Sequence, residues 1–442
     1  INKVINKLNM VSSIKYSRYQ LSKYGFLPHK CNRILPPKFL YLQVVADNLS
    51  EKQTNAKEFR MIIGNLPEYD EKQHSTKNIK LDEKQHLYSL LMMTVNRYVW
   101  CSGVEDAKNY SVIPKIISKP LLEVCTFLGI VPSFTHACCD LWNWHIINEK
   151  MPFNLDNINT NYLMTGDITE AWFYKIMITL EGTSGEMIRH IATYDPDNAS
   201  YNETKKLLQC IKETTANNTK LIKRMYEHCN TNKFFNLIRI YLSGSNNKYL
   251  PNGITIDNTI IKHNGGSAAQ SSLIPVLDIL FNIEHPKHGG DFLRKMRNYM
   301  PVYHRDFITY IEKIYSKFSS DILNSNDNTL IGLYHESLVN LLDFRKVHTT
   351  LIHNYVMKFI EPSNKHTKDD FKHAHDNKGA GGTNPMDFAQ EINNDTIAVL
   401  KTVSKIKNDT IARNHNYRSL RIKYLSYGVI TTWCIWKLYT SE

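Results

Sequence analysis

"SLVNLLDFRKVHTTLIHNYVMKFI", residues 337 to 360, decides how this chain is read. Leu338, Leu341, Leu342, Ile352, Tyr355, Val356 and Phe359 fall on one apolar stripe at helical spacing, so the segment is an amphipathic helix. Asp343, Lys346 and Asn354 lie off the stripe. Arg345 and His348 lie on it, three residues apart. A lone histidine on an apolar face is most often a hydrogen-bonded core residue. An arginine beside it needs an anion, because an unpaired buried guanidinium is costly.

Two arrangements meet that need. An Arg–Asp pair satisfies the arginine alone. A haem lying on this face satisfies both residues, with His348 as axial iron ligand and Arg345 on a propionate.

Around this helix the chain has 442 residues, room for two or three domains and a large core. Helical periodicity dominates and strand alternation is rare, which predicts an all-α fold. Helices are expected over 37–50, 83–98, 118–128, 133–148, 170–182, 203–228, 234–243, 270–283, 290–299, 304–324, 330–360 and 385–410. The polar stretch 149–168 suggests a connector. The division is then a small N-terminal helical domain (1–129), a connector (130–168), a large helical haem-binding domain (169–410) and an extension (411–442).

The formal net charge is +12, spread along the whole chain without an RNP, zinc-finger or KH signature. It reads as a solvated surface, and no nucleic-acid partner is expected. Eight cysteines form no CxxC and suit neither a zinc site nor a disulfide framework, so a reducing, cytoplasmic setting is expected. No run of about twenty apolar residues is present, so neither a membrane span nor a membrane partner is expected. The sequence begins at Ile1, which leaves a preceding targeting segment open.

Four further stretches carry chemistry. "NGGSAAQSS", 264–272, lets backbone approach a ligand closely, although its spacing is not that of a nucleotide-binding loop. "FFNLIRIYLSG", 234–244, sets Phe235 and Arg239 four residues apart, a pair suited to an amphipathic anion. "MRNYMPVYHRDF", 296–307, is dense in Arg and His. "GAGGTNPMDF", 379–388, is a glycine hinge before a helix. His366, His373 and His375 fall in the polar loop before that hinge and read as solvated.

With "FRKVH" from the opening helix, these motifs resemble the indoleamine 2,3-dioxygenase family in order and separation. "GDITEAWFYKI", 166–176, "RYVW", 97–100, and "GFLPHKCNRILPP", 25–37, extend the resemblance over roughly 25–395. It implies an all-helical, mostly monomeric haem enzyme. Such an enzyme inserts both atoms of dioxygen into the indole ring of L-tryptophan, or of other indoleamines, to give N-formylkynurenine. Haem b would be the cofactor, dioxygen the co-substrate, and an electron donor would keep the iron ferrous.

The resemblance also implies roles. His348 would be the metal ligand, with Arg345 by a propionate and Asp278 paired to it. Phe173 would sit above the iron. Phe234, Phe235 and Arg239 would form the substrate edge, with Arg239 on the carboxylate. Gly266, Ser267 and Ala268 would wrap the haem and the bound indoleamine. Phe173, Phe235, Arg239 and Ser267 are thus the catalytic candidates. His136, Cys139, Met177 and Ala380 would complete the substrate pocket. Three of these positions depart from the family: Met177 stands where serine is common, His136 where the mammalian enzymes have tyrosine, and Ala380 where threonine is frequent. Losing the threonine hydroxyl removes a hydrogen bond worth about 1 kcal/mol. The distal segments offer no clear general base.

The competing reading is a haem oxygen-binding protein, since some invertebrate myoglobins resemble the same family. The retained Phe173, Phe235 and Arg239 speak for the enzyme, because an oxygen store needs no carboxylate clamp. A helical scaffold without cofactor would leave Arg239, Arg345 and His348 buried without partners. In the extension, Arg413, Arg418, Arg421 and Lys423 precede the apolar "YLSYGVITTWCIWKLY". It reads as a terminal helix with Trp433 and Trp436 packed inward rather than as a membrane anchor.

Overall fold

The structure is a computed structural model describing residues 17–360 and 382–414, together with the backbone of 415–439. Its organising helices can be named in chain order. α1 (Leu81–Trp100), expected over 83–98, is buried without a break from Lys84 to Arg97 and so runs through the core rather than along its surface. Arg97, inside it, donates to Asn48 O at 3.0 Å and to Thr54 Oγ1 at 3.0 Å, so backbone and hydroxyl oxygens face its two terminal nitrogens. α2 (Lys115–Leu128) ends at Gly129, whose φ of +60° supplies the left-handed cap that a Cβ would disfavour.

α3 (Ile168–Thr183) starts at Asp167, whose side chain accepts from Thr169 N at 2.9 Å. The buried Glu170 accepts from Met164 N at 2.8 Å and Thr165 N at 2.7 Å, tying the preceding loop to the helix. α4 (Tyr201–Lys223) opens on a Ser200–Glu203 capping box. α5 (Leu273–Leu280) follows the glycine-rich loop. α6 (Asn328–Ile352) contains the opening stripe and is capped by Asp327, which accepts from Thr329 N and Leu330 N. α7 runs Pro385–Tyr439. α6 packs on α4 along one side and on α7 along the other, so this trio braces the large half of the molecule.

Among the described residues the fold is all-α apart from two small antiparallel hairpins. In one, β1 (Trp144–Ile146) pairs with β2 (Ile158–Thr160). In the other, β3 (Ile254–Ile256) pairs with β4 (Thr259–Ile261). The second turns through Asp257 and Asn258, both at positive φ, the conformation a two-residue hairpin requires.

Several expected helices come out differently. The helix expected over 133–148 shrinks to a single π turn, Ala137–Leu141, closed by Trp142 N on Ala137 O at 3.2 Å. Strand pairing then takes over, and Asn143 Oδ1 accepts from Tyr162 N at 2.8 Å. The helix expected over 234–243 is a π turn, Phe234–Ile238, followed by a 3₁₀ turn, Arg239–Leu242. The expected helix over 330–360 likewise changes to a π turn at His353–Met357. Among the described residues no helix is long and apolar enough to cross a membrane. The backbone of the extension continues α7. The packing of Trp433 and Trp436, the loop histidines 366, 373 and 375, and Ala380 lie outside the described residues.

Candidate functional site

The C-terminal half of α6, the middle of α3, the π turn 137–141, the 234–242 turns and the glycine-rich loop enclose a chamber of about 240 Å³. A smaller one, about 100 Å³, adjoins it along α5 and α7. His348 lines both. Burial pulls its pKa down to about 4, so at neutral pH the ring is uncharged, the form that ligates a metal. Among the described residues no three His, Cys, Asp or Glu gather as a metal cage. A single imidazole beside an apolar chamber suits haem, which brings its own four nitrogens, rather than a bare ion.

Arg345 is buried one turn before His348 and lines the smaller chamber. Its Nη2 donates to Asp278 Oδ1 and its Nη1 to Thr396 Oγ1. Asp278 also contacts His285 Nε2 at 3.4 Å, and His285 Nδ1 lies 2.7 Å from Asp395 Oδ2. Burial would raise the Asp278 carboxyl, but Arg345 and His285 outweigh it and hold it below the ordinary carboxylate range. The Arg–Asp pair is therefore present, and this corrects one expectation: without a propionate Arg345 is not left without a partner. A propionate would be a further acceptor, not a required one.

The glycine-rich loop is placed by backbone contacts. A Cβ on Gly265 would lie 2.0 Å from Leu242 O, so only glycine permits this approach. Gly266 N donates to Leu242 O at 2.9 Å, and Gln270 Nε2 donates to Gly265 O at 2.8 Å. These bonds bring Gly266, Ser267 and Ala268 to the chamber wall. Phe173, Met177, Phe234, Cys139, His136 and Arg239 line the same chamber. Phe235 does not. It lies in the π turn 234–238, and its ring stacks on Phe359 at 4.9 Å. Arg239 keeps contact with that ring, 5.1 Å from its centroid, while its residue lines the chamber. Asp278 stands behind Arg345, outside the main chamber.

Two carboxylates beside His136, Asp140 and Glu181, were missed in the sequence. His136 is held from both sides, Nδ1 to Asp140 Oδ2 at 2.7 Å and Nε2 to Glu181 Oε1 at 2.9 Å. Burial pulls the imidazole down, but the two carboxylates outweigh it and push its pKa up to about 10. Burial also raises the Asp140 carboxyl, with His136 opposing. Ser271 Oγ donates to Glu181 Oε1 at 2.5 Å. The i, i+4 spacing of His136 and Asp140 was the available signal. Asp140 thus adds to the chamber wall a carboxylate that the sequence reading did not name.

Comparison with known proteins agrees with the motif reading. The indoleamine 2,3-dioxygenase family model matches residues 15–399. Mouse indoleamine 2,3-dioxygenase 1 is 29% identical over 387 residues, covering 84% of this chain and 92% of its own. The Saccharomyces cerevisiae indoleamine 2,3-dioxygenase is 27% identical over 441 residues, covering 88% and 95%. A myoglobin of Haliotis madaka is 26% identical over 398 residues, covering 87% and 99%. With the match running from the N-terminal segment through the histidine helix to the start of α7, the chain belongs to the indoleamine 2,3-dioxygenase family.

Proposed function

We propose that this chain binds haem b through His348 and opens the indole ring of L-tryptophan with dioxygen, giving N-formylkynurenine. One observation supports this above the others. A single, largely apolar chamber brings together a neutral histidine able to ligate iron and an arginine able to hold a carboxylate. When bound, the haem would supply activation of dioxygen.

The protein's own part is positioning. Arg239 pairs with the substrate carboxylate. Phe173, Met177 and Phe234 pack the indole and keep water from the reacting face. Ser267 and Ala268 close the edge. Both oxygen atoms end in the product, so no external proton donor is consumed. The oxygen-store reading finds its support in the myoglobin relative, but an arginine on the chamber wall favours a substrate with an acid group.

The test is anaerobic reduction followed by oxygen and L-tryptophan, with product absorbance as readout. Formation of N-formylkynurenine is expected. A stable oxygen adduct without product would favour the store. His348→Ala is expected to lose stable haem binding, and a full Soret band in that variant would overturn the ligand assignment. Arg239→Ala is expected to raise the Michaelis constant at least about tenfold while haem content holds, since a lost charge-assisted bond costs about 1.5 to 3 kcal/mol.

A further inference from the structure

The reaction proposed above makes no use of Asp140. Its residue is 3% exposed and lines the main chamber. Oδ2 is committed, taking His136 Nδ1 at 2.7 Å and the Cys139 thiol at 3.3 Å. Oδ1 is buried and has no hydrogen-bond partner. The chamber around it is mostly apolar, formed by Phe134, Phe173, Met177 and Phe234 among others. A buried carboxylate oxygen without a donor carries a desolvation cost. Its residue borders the chamber, where a ligand can meet that cost.

Its neighbours say which part of the ligand reaches it. The π turn that carries Asp140 packs on α3, the helix of Phe173 and Met177, which line the same chamber. A substrate whose carboxylate meets Arg239 and whose ring packs on Phe173 and Met177 therefore brings its ring beside Asp140. Its α-ammonium sits on the same carbon as the carboxylate and stays with it at Arg239. His136 is fixed between Asp140 and Glu181, so the carboxylate is held in place before the ring arrives.

We infer that Asp140 is a specificity-determining residue whose free Oδ1 accepts a hydrogen bond from a donor on the indole ring, either the ring N–H or a ring hydroxyl. This rests on the chamber being an indole site. A hydrogen bond to a charged acceptor in a dry site changes affinity by at least about tenfold.

The experiment measures dissociation constants by calorimetry on the ferric holoprotein. The probes are L-tryptophan, 1-methyl-L-tryptophan, which lacks the N–H, and 5- and 6-hydroxy-L-tryptophan, which add a donor. In the wild type the constants are expected to spread at least tenfold, in favour of the probes that carry the donor. In Asp140→Val the spread is expected to shrink to within about threefold. The wild-type comparison stands even if that variant folds poorly. Equal wild-type constants overturn the inference. So does a spread that survives in Asp140→Val, because it then reflects ring shape. Indole-3-propionate, without the ammonium, gives a further check: if Asp140→Val weakens tryptophan but not this acid, the carboxylate holds the ammonium instead. Tryptophan turnover without ring discrimination removes this inference and leaves the proposed reaction standing. If no indole binds at all, both fall.

Discussion

Two buried ionic groups flank the chamber, and they differ in what they leave over. On the α6 side, Arg345, Asp278, His285 and Asp395 form a closed line, with Thr396 taking the second arginine nitrogen. This line joins α5, the turn after it, α6 and α7. On the α3 side, His136 joins Asp140 to Glu181, yet Asp140 Oδ1 and Glu181 Oε2 stay without partners. Buried charge is costly in both places. In the first, the cost is met within the fold, and the group acts as a brace. In the second, acceptor capacity remains at the edge of a ligand chamber. Leftover hydrogen-bonding capacity, more than buried charge as such, separates a site from a brace.

The largest expected effect tests the brace. Arg345→Ala removes the strongest partner of a buried carboxylate and should cost about 3 to 5 kcal/mol of folding stability, read from urea midpoints. Asp140→Val leaves His136 bonded to Glu181 and should cost about 1 to 2 kcal/mol. Equal losses would erase the contrast between the two groups.

The second effect is a pH dependence. The folded pKa of His136 is raised, to about 10 from an ordinary 6.5. A raised basic group contributes stability that is fully present below about pH 6.5 and is lost as pH rises toward 10. Urea midpoints should therefore fall across that window, by an amount on the order of a few kcal/mol. His136→Gln should remove most of the slope. A wild-type midpoint that is flat between pH 7 and 10 would mean the ring is neutral in the folded protein.

Arg345 and His348 could be read from the sequence pattern, whereas His285 and Asp395 of the brace and Asp140 and Glu181 of the polar wall could not, for a physical reason. Arg345 and His348 share one helix, and a 3.6-residue period shows them on its apolar face without any tertiary knowledge. The glycine loop was legible because a close backbone approach restricts residue type at Gly265. His136 and Glu181 are 45 residues apart and meet only through packing. The turn that presents His136 and Asp140 looked like an ordinary helix, because a π turn has no distinct pattern of its own. Phe235 pairs with Arg239 as the i, i+4 spacing implied, but its stacking on Phe359, away from the chamber wall, depends on tertiary packing that no local spacing shows. α1 was legible as a helix over 83–98, but its burial on all sides was not.

The smallest effect is expected at the outer end of the brace. Burial pulls His285 down, but Asp278 and Asp395 outweigh it and raise its pKa. His285→Gln removes that charge, and Asp278 still keeps Arg345. The cost should be about 1 kcal/mol, the size of one hydrogen bond to a charged group in a partly buried place. The sign follows from the raised pKa. The contribution is present in full below about pH 6.5 and fades as pH climbs through the folded value. The variant should therefore lose more stability at pH 6 than at pH 9, with haem content unchanged at both. Equal losses at the two pH values would show that the ring carries no proton in the folded state. A loss as large as that of Arg345→Ala would show that the four residues stand or fall as one unit, with His285 inside the brace rather than at its end.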